Sequence, residues 1–325
     1  MKIVVTGANG FIGHKVAERL CEFGGLGDGH PTMKQLTLVS RKFRNPLSGK
    51  LIRFVKGDIT QPGVLKETIE GGVDCVFHIA AIPTGDAERD FDAGRRINLE
   101  ATYNLFELLR RQAKPPVVVL SSSIGVYGRP LPDRVDDDTL PLPSLSYGAQ
   151  KLVCEILLTD YSRRGFLDGR AIRLPGVVAR PKNDGGAFSL FLSNIFHAFA
   201  DGDPEFVCPV SEGATPWLMS VERSIDNILH AARIPGNKLP ARRAWMIPTL
   251  RVRIGELAAA LSDATGSRTR VIYKPAEPFE SNIGALPPVS TPLAESLGFK
   301  HDGSVPALVD RVLKMIRTPA APARS

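Results

Sequence analysis

Tyr147 and Lys151 stand four residues apart in Tyr147-Gly148-Ala149-Gln150-Lys151, and Ser121-Ser122-Ser123 precedes them at the end of an apolar run. On a helix, positions i and i+4 share one face, so the phenol and the ammonium would be neighbours. A free phenol holds its proton too tightly to be a good base near neutrality. A nearby ammonium favours the phenolate. Such a phenol can take a proton from an alcohol or return one to a carbonyl. A serine hydroxyl beside it can hydrogen-bond the reacting oxygen and steady developing charge. A Tyr-x-x-x-Lys pair alone is also what an amphipathic surface helix carries, and the serines are what separate the two readings.

A second signal lies about 140 residues upstream, and two signals that far apart must be brought together by the fold. Gly7-Ala8-Asn9-Gly10-Phe11-Ile12-Gly13 directly follows an apolar run. Gly7 permits a tight turn out of a strand, Gly10 admits a pyrophosphate to the backbone, and Gly13 lets a helix pack against the sheet. Free N–H groups of the helix start, with Asn9, Phe11 and Ile12 around them, would hold the phosphates. The spacing is Gly-x-x-Gly-x-x-Gly, not the Gly-x-Gly-x-x-Gly of many dehydrogenases. Together the two signals imply hydride chemistry on a nicotinamide cofactor, with Tyr147 and Lys151 also touching it.

The end of the second strand selects the dinucleotide. A carboxylate there would bind the adenine ribose of NAD. This chain has Ser40-Arg41-Lys42, whose cations can pair with a 2′-phosphate. NADP is therefore the favoured cofactor and NAD the alternative, in which case Arg41 and Lys42 are solvated loop charges. Asp58-Ile59, after the third strand, either flanks the adenine or lets Asp58 cap the next helix.

The elements that must position these groups alternate. Strand patterns occur at Lys2–Thr6, residues 35–39, Ile52–Lys56, residues 74–79, 117–121 and 170–174. Helical patterns occur at residues 11–23, with Ile12, Val16, Ala17 and Leu20 on one face, at 95–112, and at 147–161, with Leu152, Val153, Ile156 and Leu157 as the apolar stripe. A glycine-rich loop covers residues 24–29. This alternation implies βαβ units with right-handed crossovers. The expected fold is α/β, a Rossmann doubly wound parallel sheet over residues 1–175. Beyond Pro175 the segments shorten, with helical patterns at 188–199, 224–232 and Ile254–Thr265, a strand at Arg270–Tyr273 and a frayed tail at 319–325. Residues 176–325 are expected to form mainly a smaller C-terminal α+β substrate cap, some segments of which return to the sheet.

Of the 325 residues, 43% are hydrophobic and 23% charged, the balance of an ordinary globular chain. No apolar stretch approaches the roughly 18 residues needed to span a bilayer. Met1-Lys2-Ile3-Val4-Val5 reads directly as a strand, so no signal peptide is expected. Cys21, Cys75, Cys154 and Cys208 are widely spaced and form no metal or redox motif. Cys75 and Cys154 are expected as buried free thiols, and a cytoplasmic location fits them. The net charge of +7 is scattered without interleaved aromatics, so no nucleic-acid partner and no membrane partner is expected.

Gly7-x-x-Gly10-x-x-Gly13, His78-Ile79-Ala80-Ala81, Asn98, Ser121-Ser122-Ser123-Ile124-Gly125-Val126-Tyr127-Gly128 and Tyr147-x-x-x-Lys151 resemble the extended short-chain dehydrogenases/reductases. That family includes nucleotide-sugar epimerases and dehydratases. The resemblance runs over nearly the whole chain. It implies Ser123, the third of the triplet, as the catalytic serine and Asn98 as a structural or proton-relay residue. It also implies Ala80, Ala81, Asn98, Leu174 and Pro175 beside the cofactor. The Asn98 residue type alone also allows a helix hydrogen-bonding role without chemistry. Ala87-Glu88-Arg89-Asp90-Phe91-Asp92, Pro130-Leu131-Pro132 with Val135-Asp136-Asp137-Asp138, Asp160-Tyr161-Ser162-Arg163-Arg164-Gly165-Phe166 and Gly169-Arg170-Ala171-Ile172-Arg173-Leu174-Pro175 are similar to a group within that family, the D-erythronate dehydrogenases. These oxidise the C2 hydroxyl of a four-carbon sugar acid with NAD. Ser40-Arg41 replaces the acidic residue expected there, and 174–180 with the glycine-rich 183–187 is a second departure, in the substrate pocket.

The substrate side is less legible. Thr84, Tyr127, Arg180 and Trp217 are candidates, with Ser123 and Tyr147 at the reacting centre. Arg180 would either hold a carboxylate in a bidentate pair or form a surface ion pair. His14, His78, His197 and His230 are not spaced as metal ligands, and His78 reads as a packed core residue, so no metal is expected. The leading expectation is an NAD(P)-dependent oxidoreductase acting on a hydroxy acid or the corresponding ketone. The alternative is a nucleotide-sugar epimerase or dehydratase that keeps its cofactor bound, and a third is a cofactor-sensing protein without turnover. The resemblance also implies a homodimer that pairs the 95–112 and 147–161 helices with their copies, although Cys154, Ile156 and Leu157 would equally suit the intramolecular core.

Overall fold

The computed structural model describes residues 1–44, 46–182 and 189–317. The glycine-rich 183–187, the first residue of the expected 188–199 helix and the tail at 319–325 lie outside the described residues. The first half runs β1 (Lys2–Thr6), α1 (Phe11–Glu22), β2 (Gln35–Ser40), β3 (Ile52–Lys56), α2 (Pro62–Thr68), β4 (Cys75–His78), α3 (Thr84–Arg89) and α4 (Phe91–Gly94). A π-helical turn, Arg95–Glu100, leads into α5 (Ala101–Leu109), followed by β5 (Val117–Ser123), a 3₁₀ turn (Ile124–Val126), α6 (Ser146–Arg163) and β6 (Asp168–Leu174).

The second half continues with β7 (Gly176–Val178), α7 (Phe191–Asp201), β8 (Glu205–Cys208), β9 (Trp217–Ser220), α8 (Val221–Arg233) and β10 (Ala244–Met246). It ends with β11 (Leu250–Arg251), α9 (Ile254–Thr265), β12 (Arg270–Tyr273), a π-helical turn (Glu280–Gly284), α10 (Pro292–Ser296) and α11 (Val305–Arg317). The central sheet has seven parallel strands in the order β10-β6-β5-β4-β1-β2-β3. This is the Rossmann-like α/β architecture that the alternation implied. Parallel strands covered by helices on both faces must be apolar along their length, and Ile3, Val4 and Val5 of β1 are all fully buried. The order reverses between β1 and β4, and the crevice beyond the carboxyl ends of the strands at such a switch point is where α/β sheets bind ligands.

β10 comes from the second half and pairs with β6, Trp245 opposite Ile172, at the edge of the central sheet. The remaining late strands form a β11-β9-β7 sheet and a β12-β8 ribbon. A second apolar cluster, including Phe196, Leu257, Leu308 and Val312, joins α7, α9 and α11. Cys75 and Cys154 are buried free thiols, as expected. No helix among the described residues is long and apolar enough to cross a membrane.

Two expectations change. On α1 the buried stripe is Gly13, Val16, Ala17 and Leu20, because Ile12 turns toward a cavity. On α6 the buried face carries Gln150, Lys151, Cys154, Glu155 and Leu158, while Val153 and Ile156 point outward. The apolar stripe is thus not the core stripe. Polar groups occupy the inner face because that face lies under the cavity.

Candidate active site

One cavity of about 590 Å³ runs along the carboxyl ends of β1, β2, β4, β5 and β6. Its floor is the turn between β1 and α1. Gly7 has φ +69°, and a Cβ there would approach the Ala80 backbone to 2.8 Å. A Cβ on Gly13 would come within 2.2 Å of the Gly7 carbonyl oxygen, so only glycine lets α1 start this close to the strand. A Cβ on Gly10 would meet only Gly7 O, at 3.1 Å, so the space over Gly10 is open. The α1 amino end therefore faces an open cradle that a side chain would fill. This is the fit a dinucleotide pyrophosphate requires.

The wall extends outward from that cradle. Asn9, Phe11 and Ile12 line it, and Asn9 Oδ1 accepts from the Arg44 backbone N–H at 2.9 Å, which draws the loop after β2 over the glycine turn. Ser40 and Arg41 reach the same cavity. Arg41 is exposed and forms no ion pair among the described residues. Asp58 and Ile59 line the far side. Asp58 Oδ1 accepts from Thr60 N at 2.9 Å in a local turn, and the N-cap position of α2 is Gln61, whose side chain makes no capping bond. The capping alternative for Asp58 therefore does not hold. Ala80, Ala81, Thr84, Leu174 and Pro175 complete the middle of the wall.

Ser123 and Tyr147 meet at the inner end. Ser123 ends β5, and its Oγ accepts from Gly125 N at 3.0 Å in the 3₁₀ turn. Among the described residues the Ser123 hydroxyl proton has no internal acceptor. Gly148 permits this approach: a Cβ on it would fall 1.9 Å from Gly125 O. The first amide of α6, at Ser146, donates to the Glu88 carboxylate, a favourable charge for a helix start. Lys151 Nζ lies 5.7 Å from the Tyr147 ring centroid, one turn further along α6. Lys151 is 1% exposed and stands behind the wall, not in it.

Asn98 also stands behind the wall. It sits in the π-helical turn, where its Oδ1 accepts from Ile82 N (2.9 Å) and its Nδ2 donates to Ile82 O (3.2 Å) and Gln150 Oε1 (2.8 Å). With its amide satisfied by these groups, Asn98 positions the Ala80–Ala81–Ile82 segment. His78 is a core residue. Its ring nitrogens meet Thr6 Oγ1 at 2.8 Å and Thr102 Oγ1 at 2.9 Å. Burial first, and then the Lys151 charge, hold its pKa down at about 3.

Residues from the second half of the chain complete the cavity wall. Arg180 lies in the wall and no carboxylate among the described residues pairs with it. Burial lowers its pKa, an effect opposed by the nearby Tyr147 phenol. Its carbonyl oxygen is held by His197 Nε2 at 2.7 Å and its N–H by Ser193 Oγ at 3.0 Å. Trp217 is 1% exposed and its Nε1 donates to Pro287 O at 2.7 Å, so only the ring contributes to the wall. Tyr127 also lines the cavity, with its hydroxyl accepting from Arg173.

Several wall residues carried no strong local signal. Arg129 lines the cavity and donates to Ala285 O and Asn282 O, which fastens the segment with Asn282, Ile283 and Leu286 over the opening. Its contacts span more than 150 residues of sequence, a distance no spacing rule covers. Glu155 and Arg173 form a buried pair beneath β5. Glu155 did have a signal, since Tyr147, Lys151 and Glu155 recur every four residues on one face.

A model of the NAD dependent epimerase/dehydratase family matches residues 3–220. The chain is 37% identical to a D-erythronate dehydrogenase of Cupriavidus necator, over 94% of this chain and 95% of that protein. It is 31% identical to a D-erythronate dehydrogenase of Haemophilus influenzae, over 97% and 99% respectively. Among solved structures, it resembles a nucleoside-diphosphate-sugar epimerase from Agrobacterium tumefaciens with a TM-score of 0.87 and 34% identity, over 97% of this chain and 94% of that one.

Proposed function

The chain belongs to the NAD dependent epimerase/dehydratase family, and from that premise we propose that it is a nicotinamide-dependent dehydrogenase that oxidises a secondary hydroxyl of a small hydroxy acid, D-erythronate or a near analogue, or reduces the matching ketone. The observation that carries this reading is an arginine without a described carboxylate partner, Arg180, in the same cavity wall as Tyr147 and Ser123. A desolvated guanidinium is costly unless an anion joins it. A carboxylate is the anion whose geometry matches its fork.

The nicotinamide cofactor, when bound, supplies the hydride acceptor or donor. The chain's own residues do the rest. Gly7, Gly10 and Gly13 give the pyrophosphate a backbone cradle. Ser123 donates its hydroxyl proton to the reacting oxygen. Tyr147 removes the substrate hydroxyl proton at its phenol oxygen in oxidation and returns it in reduction. Lys151, buried one turn further along α6, stands beside the Tyr147 ring with its Nζ 5.7 Å from the centroid and holds the ring in place. Arg180 holds the carboxylate, so that the neighbouring carbinol carbon faces the cofactor.

The favoured dinucleotide is NADP. Ser40 and Arg41 line the outer end of the cavity with a hydroxyl and an exposed cation, a pair suited to a 2′-phosphate. The chain is also proposed to be a homodimer, through the outward face of α5 and α6, where Tyr103, Val153 and Ile156 are exposed at 43%, 40% and 60%. Apolar patches of this kind mark interaction surfaces.

The direct test is the build-up of reduced cofactor, with NAD and with NADP, on addition of four- to six-carbon hydroxy acids including D-erythronate. Net reduction with a hydroxy acid is the expected result. A protein that interconverts nucleotide sugars with no net reduced cofactor would overturn the reading.

A further inference from the structure

Under the reacting centre runs a chain of buried polar contacts that the mechanism above does not use. The Ser122 hydroxyl, next to Ser123, donates to Glu155 Oε1. Arg173 grips the same carboxylate with Nε at 3.1 Å from Oε1 and Nη2 at 2.7 Å from Oε2. Its remaining arm, Nη1, donates to the Tyr127 hydroxyl at 2.7 Å. The Arg173 guanidinium carbon also lies 5.1 Å from the Tyr127 ring centroid. Glu155 is 2% exposed and Arg173 is 8% exposed.

A buried ion pair contributes little to stability compared with apolar residues of the same size. Its presence here calls for another reason, and hydrogen-bond direction provides one. Guanidinium groups only donate. The contact with Arg173 therefore uses an acceptor site of the Tyr127 oxygen and turns its proton away from Arg173. Among the described residues no acceptor takes that proton, while Tyr127 itself lines the substrate end of the cavity. Glu155, held by Ser122 and by α6, keeps Arg173 from rotating out of this arrangement.

We propose that Glu155 and Arg173 are positioning residues that aim the Tyr127 hydroxyl proton at a second oxygen of the substrate, so that the site selects a hydroxy acid carrying a further hydroxyl beyond the one oxidised. This rests on the hydroxy-acid reading above and narrows it. Tyr127 then acts as a specificity donor and takes no part in moving hydride. A site built to hydrogen-bond a substrate hydroxyl discriminates against the analogue that lacks it, since the buried donor is left unpaired.

The test compares a polyhydroxy acid with its deoxy analogue, lacking the distal hydroxyl, in the unaltered chain, Tyr127→Phe, Arg173→Lys and the double variant. Two readouts serve: kcat/KM, and affinity for each acid in the non-reacting complex with reduced cofactor, followed by cofactor fluorescence. The unaltered chain is expected to prefer the polyhydroxy acid by about tenfold or more, the value of one well-placed hydrogen bond. Tyr127→Phe abolishes the preference. Arg173→Lys, which keeps a cation opposite Glu155 and does not itself meet substrate, also reduces it. The double variant is no worse than Tyr127→Phe, because the two act through one bond. A Tyr127→Phe protein that keeps the full preference, or single effects that simply add, overturns this inference alone. Failure of the unaltered chain to bind or turn over any hydroxy acid overturns the functional reading and this inference together.

Discussion

Ser123 and Tyr147 converge on Gly125. A methyl group on Gly125 would lie 3.3 Å from Ser123 Oγ and 3.5 Å from Tyr147 Cδ1. Two side chains 24 positions apart are thus brought to the same glycine, so that the Tyr147 ring and the Ser123 hydroxyl border one space. Tyr147→Phe keeps the ring and removes only the proton-carrying oxygen. It is expected to lower kcat by about 10²–10⁴-fold with cofactor affinity nearly retained. Steady-state turnover together with cofactor titration checks this, and a phenylalanine variant that turns over at the normal rate would remove Tyr147 from the chemistry.

Arg180→Gln keeps much of the side-chain volume and discards the charge. The expected effect is a rise in KM of about 10- to 100-fold for a hydroxy acid, the size of a desolvated charge-assisted pair, and a much smaller rise for an uncharged ketone. Comparing the two substrate types measures the carboxylate contact itself. Equal losses on both would mean that Arg180 shapes the cap without gripping an anion.

Arg41 is exposed at the outer end of the cavity. Replacing it with serine is expected to weaken NADP binding by about tenfold and leave NAD within about twofold, since only the former carries the extra phosphate. Equilibrium binding of the two oxidised cofactors gives the answer. An unchanged ratio would assign Arg41 to solvent and return NAD to favour.

His78 makes stability depend on pH. Its folded-state pKa is about 3, against an ordinary value of 6.5, with burial the main cause and Lys151 the second. The unfolded chain therefore binds a proton that the folded chain refuses between these values. The contribution of a neutral His78 is complete above about 6.5 and is lost as pH falls toward 3, with a slope of up to about 1.4 kcal/mol per pH unit. Glu18, held near 2 chiefly by its hydrogen bond to His14, acts in the same direction but only below its ordinary 4.5. Urea unfolding of the parent and His78→Gln between pH 6.5 and 5 isolates the histidine. Parallel stability curves in that window would contradict a buried neutral imidazole.

Ile156 is 60% exposed on α6. Ile156→Glu is expected to convert a dimer into a monomer while leaving far-ultraviolet circular dichroism unchanged, because the side chain is outside the core. Sedimentation of both proteins checks it. A parent protein that sediments as a monomer at micromolar concentration would refute the proposed pairing.

The parallel sheet was legible because β1, β4 and β5 carry continuous apolar runs bounded by turn residues, and all six strands expected in the first half occur within two residues of their expected bounds. The glycine turn was legible because steric necessity leaves few residue choices. The inward face of α6 was misread from hydrophobicity, since Gln150, Lys151 and Glu155 are buried beneath the site while Val153 and Ile156 face out. α11 carries a plain helical period, Val305, Leu308, Val309, Val312 and Leu313, a signal that could have been read. The short β7, β9 and β11 carry no such period, and their partners lie dozens of residues away. The Arg173 contacts were foreshadowed by the charges of a buried strand, since β6 carries Asp168, Arg170 and Arg173, but nothing local names the partners of such charges.

The pairing of Trp245 with Ile172 has a practical consequence for anyone wishing to transplant the coenzyme half of this protein. A polypeptide stopped after β6 would leave that strand's outer amides and carbonyls bare and strip the indole cover from its end of the sheet. Bare ribbon edges of this kind recruit one another. The severed half is expected to self-associate through that edge more than the intact chain does, so grafting experiments would need to carry the stretch through Met246 along with it.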